Sequence, residues 1–213
     1  MTTTQPSAPA WGVVLPLKLL AHAKTRLAAY GEAGRAELAL AFASDVLEAV
    51  LACPAVRRVV VVTDEPRAAQ VLARHRVQVV PDAPAAGLLA ALEHGEAQVL
   101  RDHPGLGVAA LAADLPALRP ADLSAALAAV PSRAFVPDAA GTGTTLLAAA
   151  GVPLAPEFGP GSRARHVASG ATELPAADGL RRDVDTPDDL RAALVLGVGP
   201  CTARAVERLL LRR

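Results

Sequence analysis

Hydrophobic and polar positions along the chain alternate between two periods. Six small or branched apolar residues, Val108–Ala113, run into Asp114, and Pro116 stops the segment from continuing as strand or helix. A run that is apolar on both faces, with helical patterns before and after it, predicts a central strand of a parallel sheet covered by helices on each side. In such sheets ligands bind beyond the carboxyl ends of the strands, which places Asp114 where chemistry normally occurs; a turn-capping or helix-capping Asp is the competing reading. Further strands are predicted at Trp11–Leu17, Arg58–Thr63, Val77–Val80 and Arg133–Val136. Helical spacing of Leu38, Phe42, Val46, Leu47 and Val50 predicts a helix over Arg35–Leu51, and further helices are predicted over Pro66–Arg74, Gly87–Leu100, Pro120–Val130 and Arg163–Ser169. Between the last two, Pro137–Thr145 is a Gly/Thr turn leading into L-L-A-A-A, a hairpin signal or a place where backbone meets a ligand. The pattern predicts one α/β domain over 11–196 with a Rossmann-like, mostly parallel central sheet flanked by helices and a small hairpin extension. A disordered leader is expected over 1–10 and a C-terminal helix, packed on the domain or extending it, over 197–213.

Composition narrows the classes of function. The chain has 213 residues with 52% hydrophobic and 20% charged content, enough for a sizeable core. Lys plus Arg equals Asp plus Glu at 21 each, so no global field draws the protein to nucleic acid or an anionic membrane. Aromatic residues at 2% leave no stacking platform for single strands and imply a core of Ala, Val and Leu. Cys53 and Cys201 stand alone without metal-ligand spacing, which argues against zinc and for a reducing cytoplasm. The N-terminus lacks the basic and apolar regions of a signal peptide, and no stretch approaches the ~20 apolar residues of a membrane span.

Candidate chemistry lies in the loops. Lys18, Lys24 and Arg26 sit in and just after the first strand-to-helix loop, a cationic loop suited to an oligophosphate, although each alone reads as a solvated surface charge. E-F-G-P-G-S-R-A-R-H brings Gly159, Gly161 and Ser162 to a helix start, as a phosphate site or as an ordinary cap by Ser162. In R-D-V-D-T-P, alternation in an extended segment points Asp183 and Asp185 the same way, toward one cation. Two adjacent carboxylates repel unless a cation joins them, and hard oxygen ligands suit Mg²⁺ or Mn²⁺. For Asp188 and Asp189, in the first turn of a helix capped by Thr186, the helix dipole suffices. The tail G-V-G-P-C-T-A has the outline of a helix-hairpin-helix DNA-backbone motif, or is simply the start of a packing helix.

Taken together, V-V-L-P-L-K-L-L-A-H-A-K-T-R-L, A-D-L-P-A-L, G-T-G-T-T-L-L, F-G-P-G-S-R-A-R-H and D-V-D-T-P resemble the guanylyltransferases of coenzyme F420 biosynthesis over nearly the whole chain after the leader. The resemblance implies a single-domain nucleotidyltransferase fold and transfer of GMP from GTP to phosphoenolpyruvate, or to 2-phospho-L-lactate or 3-phosphoglycerate, in the cytoplasm. It implies that Asp114, Asp183 and Asp185 hold Mg²⁺ or Mn²⁺, that Thr144, Gly159 and Ser162 contact the phosphoenolpyruvate carboxylate and phosphate, and that Lys18, Lys24 and Arg26 serve the triphosphate. The next enzyme of the pathway is an implied partner; nucleic acid and membrane are not. The glycine-rich L-A-G-G-x-S-x-R-M-G loop of the related molybdenum-cofactor enzymes is absent, which argues against a molybdopterin substrate. Many relatives read G-L-N-A-A-L where this chain has Gly87-Leu88-Leu89-Ala90-Ala91-Leu92, so an amide contact to the nucleotide is expected to be missing at Leu89.

Overall fold

The computed structural model describes residues 10–17, 24–72, 74–75, 77–83 and 85–211. Among them are seven strands, β1 (Trp11–Pro16), β2 (Val56–Val62), β3 (Gln78–Val80), β4 (Gly107–Leu111), β5 (Arg133–Pro137), β6 (Thr144–Ala149) and β7 (Thr172–Glu173), forming one sheet in the order β3-β2-β1-β4-β6-β5-β7. Pairs β1–β2, β1–β4, β2–β3 and β5–β7 are parallel, while β6 runs antiparallel to both β4 and β5. The predicted hairpin therefore lies within the sheet, and its second strand separates β4 from β5. That reversal brings the start of β6 to the edge where the parallel strands end.

Eight α-helices surround the sheet: α1 (Gly31–Leu51), α2 (Pro66–Leu72), α3 (Leu88–Asp102), α4 (Pro120–Ala128), α5 (Ser162–Ala168), α6 (Asp178–Arg181), α7 (Pro187–Leu196) and α8 (Pro200–Leu211), among the described residues. Side-chain alternation along the strands divides the core in two. Val13, Leu15, Val59, Val61, Ala109 and Leu111 pack with Val46, Leu47 and Val50 of α1, Leu72 of α2 and Leu123 and Leu127 of α4. Val14, Val60, Val62, Val108 and Ala110 pack on the other face with Ala91, Leu92 and Val99 of α3. Both faces of the central strands are thus dry, which is why their sequences read as unbroken apolar runs, and each fully buried Val or Leu contributes about 2 kcal/mol. Small residues set the spacing: a Cβ on Gly95 of α3 would collide with Val14, and one on Gly12 of β1 with Val99. Ala, Val and Leu supply most of the core, yet three of its largest fully buried side chains are Trp11, Phe42 and Phe135.

The C-terminal segment is built onto α1. Asp45, only 5% exposed, accepts hydrogen bonds from the backbone N–H groups of Cys201 (2.9 Å) and Thr202 (2.8 Å) at the start of α8. A Cβ on Gly199 would overlap the Asp45 carboxylate. The G-V-G-P-C-T-A sequence thus serves close packing, and the helix-start amides that a DNA phosphate would need are bonded within the fold. No described helix is long and apolar enough to cross a membrane.

Candidate active site

The chain runs from β1 outward to β2 and β3, then returns to place β4 on the other side of β1. At this switch a cleft of about 690 Å³ lies at the carboxyl edge of the sheet, lined by Pro16 and Leu17 at the end of β1 and by Ala112, Ala113 and Asp114 after β4. Lys24, Asp114, Asp183 and Asp185 line it, as do Thr144, Gly159, Ser162 and Arg26. Lys18 lies outside the described residues. The predicted site residues that can be described are therefore brought together in one cavity.

Local backbone explains how the acids converge. Asp114 follows the end of β4, and its carbonyl accepts the N–H of Val184 at 3.0 Å, which seats the R-D-V-D-T-P segment beside the Asp114 loop. The Val184 side chain is fully buried against Phe42, Leu38 and Leu190, so its two neighbours, Asp183 and Asp185, turn into the cleft. Thr186 and Asp189 form a reciprocal capping box that starts α7, with Pro187 at the first helical position. Burial would raise the Asp189 carboxyl, but hydrogen bonds from Thr186 and Asp185 and the nearby Arg182 guanidinium hold it below its ordinary range. Asp189 therefore does more than complement the dipole: it receives the backbone N–H of Asp185 at 3.3 Å, sits 3.5 Å from Arg182 and lines the cleft.

Lys24, in a left-handed backbone conformation just before a 3₁₀ turn over Thr25–Tyr30, extends its ammonium between two of the acids. Its Nζ bonds Asp114 Oδ2 and lies 2.8 Å from Asp185 Oδ1. Burial works against the charged ammonium, but the two carboxylates outweigh it and raise the Lys24 pKa above its ordinary value. Asp183 has no such relief. Burial, then the neighbouring Asp114, Asp185 and Asp138 carboxylates, push its pKa up to about 7. Asp114 Oδ1 is buried and has no hydrogen-bond partner among the described residues. An orphaned carboxylate oxygen, a destabilised second carboxylate and a third held by an ammonium are groups that could hold a hard divalent cation. As they stand, no group of three or more His, Cys, Asp or Glu among the described residues is closed around a metal position.

Hydroxyl and glycine residues form the rest of the polar lining. Asp138, at the end of β5, accepts the N–H groups of Thr142 (2.9 Å) and Gly143 (2.8 Å), closing the turn that delivers Thr144 to the start of β6. Ser162 does not cap α5; Gly161 holds the cap position, and the Ser162 hydroxyl bonds Thr144 Oγ1 at 3.1 Å. Arg165 donates to the carbonyls of Glu157 (2.8 Å), Phe158 (3.2 Å) and Pro160, and so ties down the loop that carries Gly159. Sequence reasoning passed over His166. It is fully buried and bonded to Thr144, and its one sequence signal is its place three and four residues after the Ser162–Arg163 start of a helix whose other face is solvent. Leu88 and Leu92 of α3 supply apolar lining, whereas Leu89 is 37% exposed, so the predicted missing amide falls on the solvent side of the helix.

A sheet edge that gathers acids, an ammonium and anion-sized hydroxyl and glycine surfaces at the switch point defines a nucleotidyltransferase. A family model for the MobA-like NTP transferase domain matches residues 33–180. Two curated proteins, each named phosphoenolpyruvate guanylyltransferase, are similar over nearly the full length. The one from Streptomyces coelicolor is 58% identical over 207 residues, 94% of this chain and 98% of its own, and the one from Thermomonospora curvata is 55% identical over 204 residues, 93% and 90%. The chain thus belongs to the MobA-like NTP transferase family and, within it, to the group whose curated members are named phosphoenolpyruvate guanylyltransferases. Solved structures share the fold: a nucleotidyl transferase from Methanothermobacter superposes with a TM-score of 0.61 at 20% identity, covering 88% of this chain and 97% of its own. A Mycobacterium tuberculosis protein solved in complex with manganese superposes at 0.52 and 24%, covering 89% and 100%.

Proposed function

We propose that this protein transfers GMP from GTP to phosphoenolpyruvate, releasing pyrophosphate and forming enolpyruvyl-diphospho-5'-guanosine, as a step of coenzyme F420 biosynthesis. The observation that carries this reading is a single cleft lined both by Asp114, Asp183 and Asp185, with Lys24 bonded to two of them, and by Gly159 and the Thr144–Ser162 hydroxyl pair. It is supported by the shared name of relatives at more than half identity.

A phosphate oxygen of the acceptor attacks the α-phosphorus of GTP in line as the bond to the β-phosphate bridging oxygen breaks. That oxygen is already ionised at neutral pH, so the chain needs no general base, and its work is to neutralise and align two polyanions. Asp114, Asp183 and Asp185 are the residues that would hold Mg²⁺ or Mn²⁺, which when bound supplies positive charge to the phosphates at the reacting centre. Lys18, Lys24 and Arg26 bring further cationic charge to the triphosphate. Thr144, Ser162 and the Gly159 backbone hold the acceptor's anionic groups opposite it. The apolar lining from Leu88 and Leu92 lies against the nucleoside.

Pyrophosphate release tests this directly, with Mg²⁺ and GTP against phosphoenolpyruvate, 2-phospho-L-lactate and 3-phosphoglycerate, and with ATP and CTP in place of GTP. Release with GTP and phosphoenolpyruvate is expected, and preference for another acceptor or nucleotide would overturn that part of the reading. Asp183→Asn is expected to lower turnover by at least a hundredfold; unchanged turnover would remove Asp183 from the metal site.

A further inference from the structure

We infer that His166 is a positioning residue whose tautomer keeps the Thr144–Ser162 hydroxyl pair a net hydrogen-bond donor toward an anion in the cleft. The inference rests on the proposed function only in taking that anion to be the acceptor's phosphate or carboxylate.

His166 is fully buried between two aromatic rings, Phe135 and Phe158, each with its ring centre 5.5 Å away. Both ring nitrogens are engaged. The backbone N–H of Glu157 points at Nε2 from 3.0 Å, and a backbone amide can only donate, so Nε2 must present its lone pair. Burial, then the positive charges of Arg165 and Arg133, lower the imidazole to a pKa of about 4, so it is neutral at pH 7 and its one proton sits on Nδ1. Nδ1 is 2.9 Å from Thr144 Oγ1, and Thr144 Oγ1 is 3.1 Å from Ser162 Oγ.

Counting protons gives the consequence. The chain His166–Thr144–Ser162 has two internal contacts and, with Nδ1 protonated, three protons: one on the imidazole and one on each hydroxyl. Two protons fill the two contacts, and one hydroxyl proton is left over. Thr144 and Ser162 both line the cleft, so that proton is offered to whatever binds there. With the proton on Nε2 instead, Thr144 would donate to His166 and Ser162 to Thr144, and the pair would face the cleft with lone pairs alone. An anionic oxygen would then be repelled rather than bound. The nearby guanidinium groups do not replace this donor: Arg165 is bonded to loop carbonyls, and Arg163 to Gly141 and Glu173.

Two measurements on the full chain test this. In long-range ¹H–¹⁵N spectra at pH 7, the signal lost in His166→Asn is expected to report a neutral ring with its proton on Nδ1; an Nε2–H tautomer or an imidazolium would overturn the inference, whatever the variants do. In steady-state kinetics, His166→Leu leaves the hydroxyl pair its spare proton but removes the Nδ1–H that fixes Thr144 Oγ1 and so directs that proton, whereas the Asn amide N–H lies near the Nδ1 position and retains the contact. One neutral hydrogen bond corresponds to roughly a fivefold change. His166→Leu is expected to raise the acceptor KM by about that factor with the GTP KM unchanged, and His166→Asn to recover most of the loss. Equal rises in both KM values, or an Asn variant no better than Leu, would reduce His166 to packing. Absence of turnover in the wild-type protein would defeat the proposed reaction instead, and the tautomer spectrum would still decide this point.

Discussion

Acidification is expected to destabilise the fold through His166 before it protonates most carboxylates. In the folded protein the ring is fully buried, with its pKa lowered to about 4, whereas in the unfolded chain it titrates near its ordinary value of 6.5. Between those values the unfolded state binds a proton that the folded state refuses, so the unfolded state carries more bound protons and stability rises with pH across this window. Read downward, the contribution is fully present above 6.5, is lost progressively as pH falls, and levels off below about 4. The fall from 6.5 to about 4 sets a ceiling of about 3 kcal/mol, a large part of the ~5–15 kcal/mol that holds a domain together. The assay is urea unfolding followed by circular dichroism at half-unit steps from pH 7.5 to 4, on the wild-type protein and on His166→Asn. Carboxylates titrate alike in both, so the difference between the curves isolates His166: the wild type should lose up to about 3 kcal/mol more than the variant, beginning just below pH 6.5. Parallel curves would refute the reasoning, because they would mean that the imidazole is as easily protonated in the fold as in water.

Three further outcomes follow from packing and charge. Asp45→Ala leaves the Cys201 and Thr202 amides at the start of α8 without an acceptor, and is expected to cost about 2–3 kcal/mol in urea unfolding, with Asp45→Asn intermediate; a loss under ~0.5 kcal/mol would contradict the tethering of α8 to α1. Gly95→Ala drives a methyl into Val14 where α3 meets β1, and should cost about 1–3 kcal/mol while leaving the circular dichroism spectrum unchanged. Lys24→Met leaves Asp114 and Asp185 without their ammonium, so the metal-free protein should melt earlier and gain more from added Mg²⁺ than the wild type does. Equal Mg²⁺ shifts in thermal melts would mean that Lys24 and the metal do not share those acids.

By itself the amino-acid sequence determined everything that depends on local pattern. Unbroken apolar runs such as Val108–Leu111 announced strands dry on both faces, helical spacing from Leu38 to Val50 announced α1, and Thr186-Pro187 with Asp189 announced the start of α7, because pleat, helical period and capping act over a few residues. Alternation likewise placed Asp183 and Asp185 on one side, since Val184 between them is apolar and had to turn inward. Boundaries were legible to within a few residues: the helix predicted from Arg35 begins at Gly31, and the one predicted to Arg74 ends at Leu72. Only the tertiary structure decided what depends on residues far apart in the chain. It threaded β6 antiparallel between β4 and β5, placed Lys24 between acids 90 and 161 residues away, and turned a DNA-like glycine motif into a seat for Asp45. His166 illustrates the difference most fully. In sequence it is one polar residue in a short helix, and its burial, its charge state and its proton position come entirely from Phe135, Phe158, Glu157 and Thr144, which the fold, not the local pattern, sets around it.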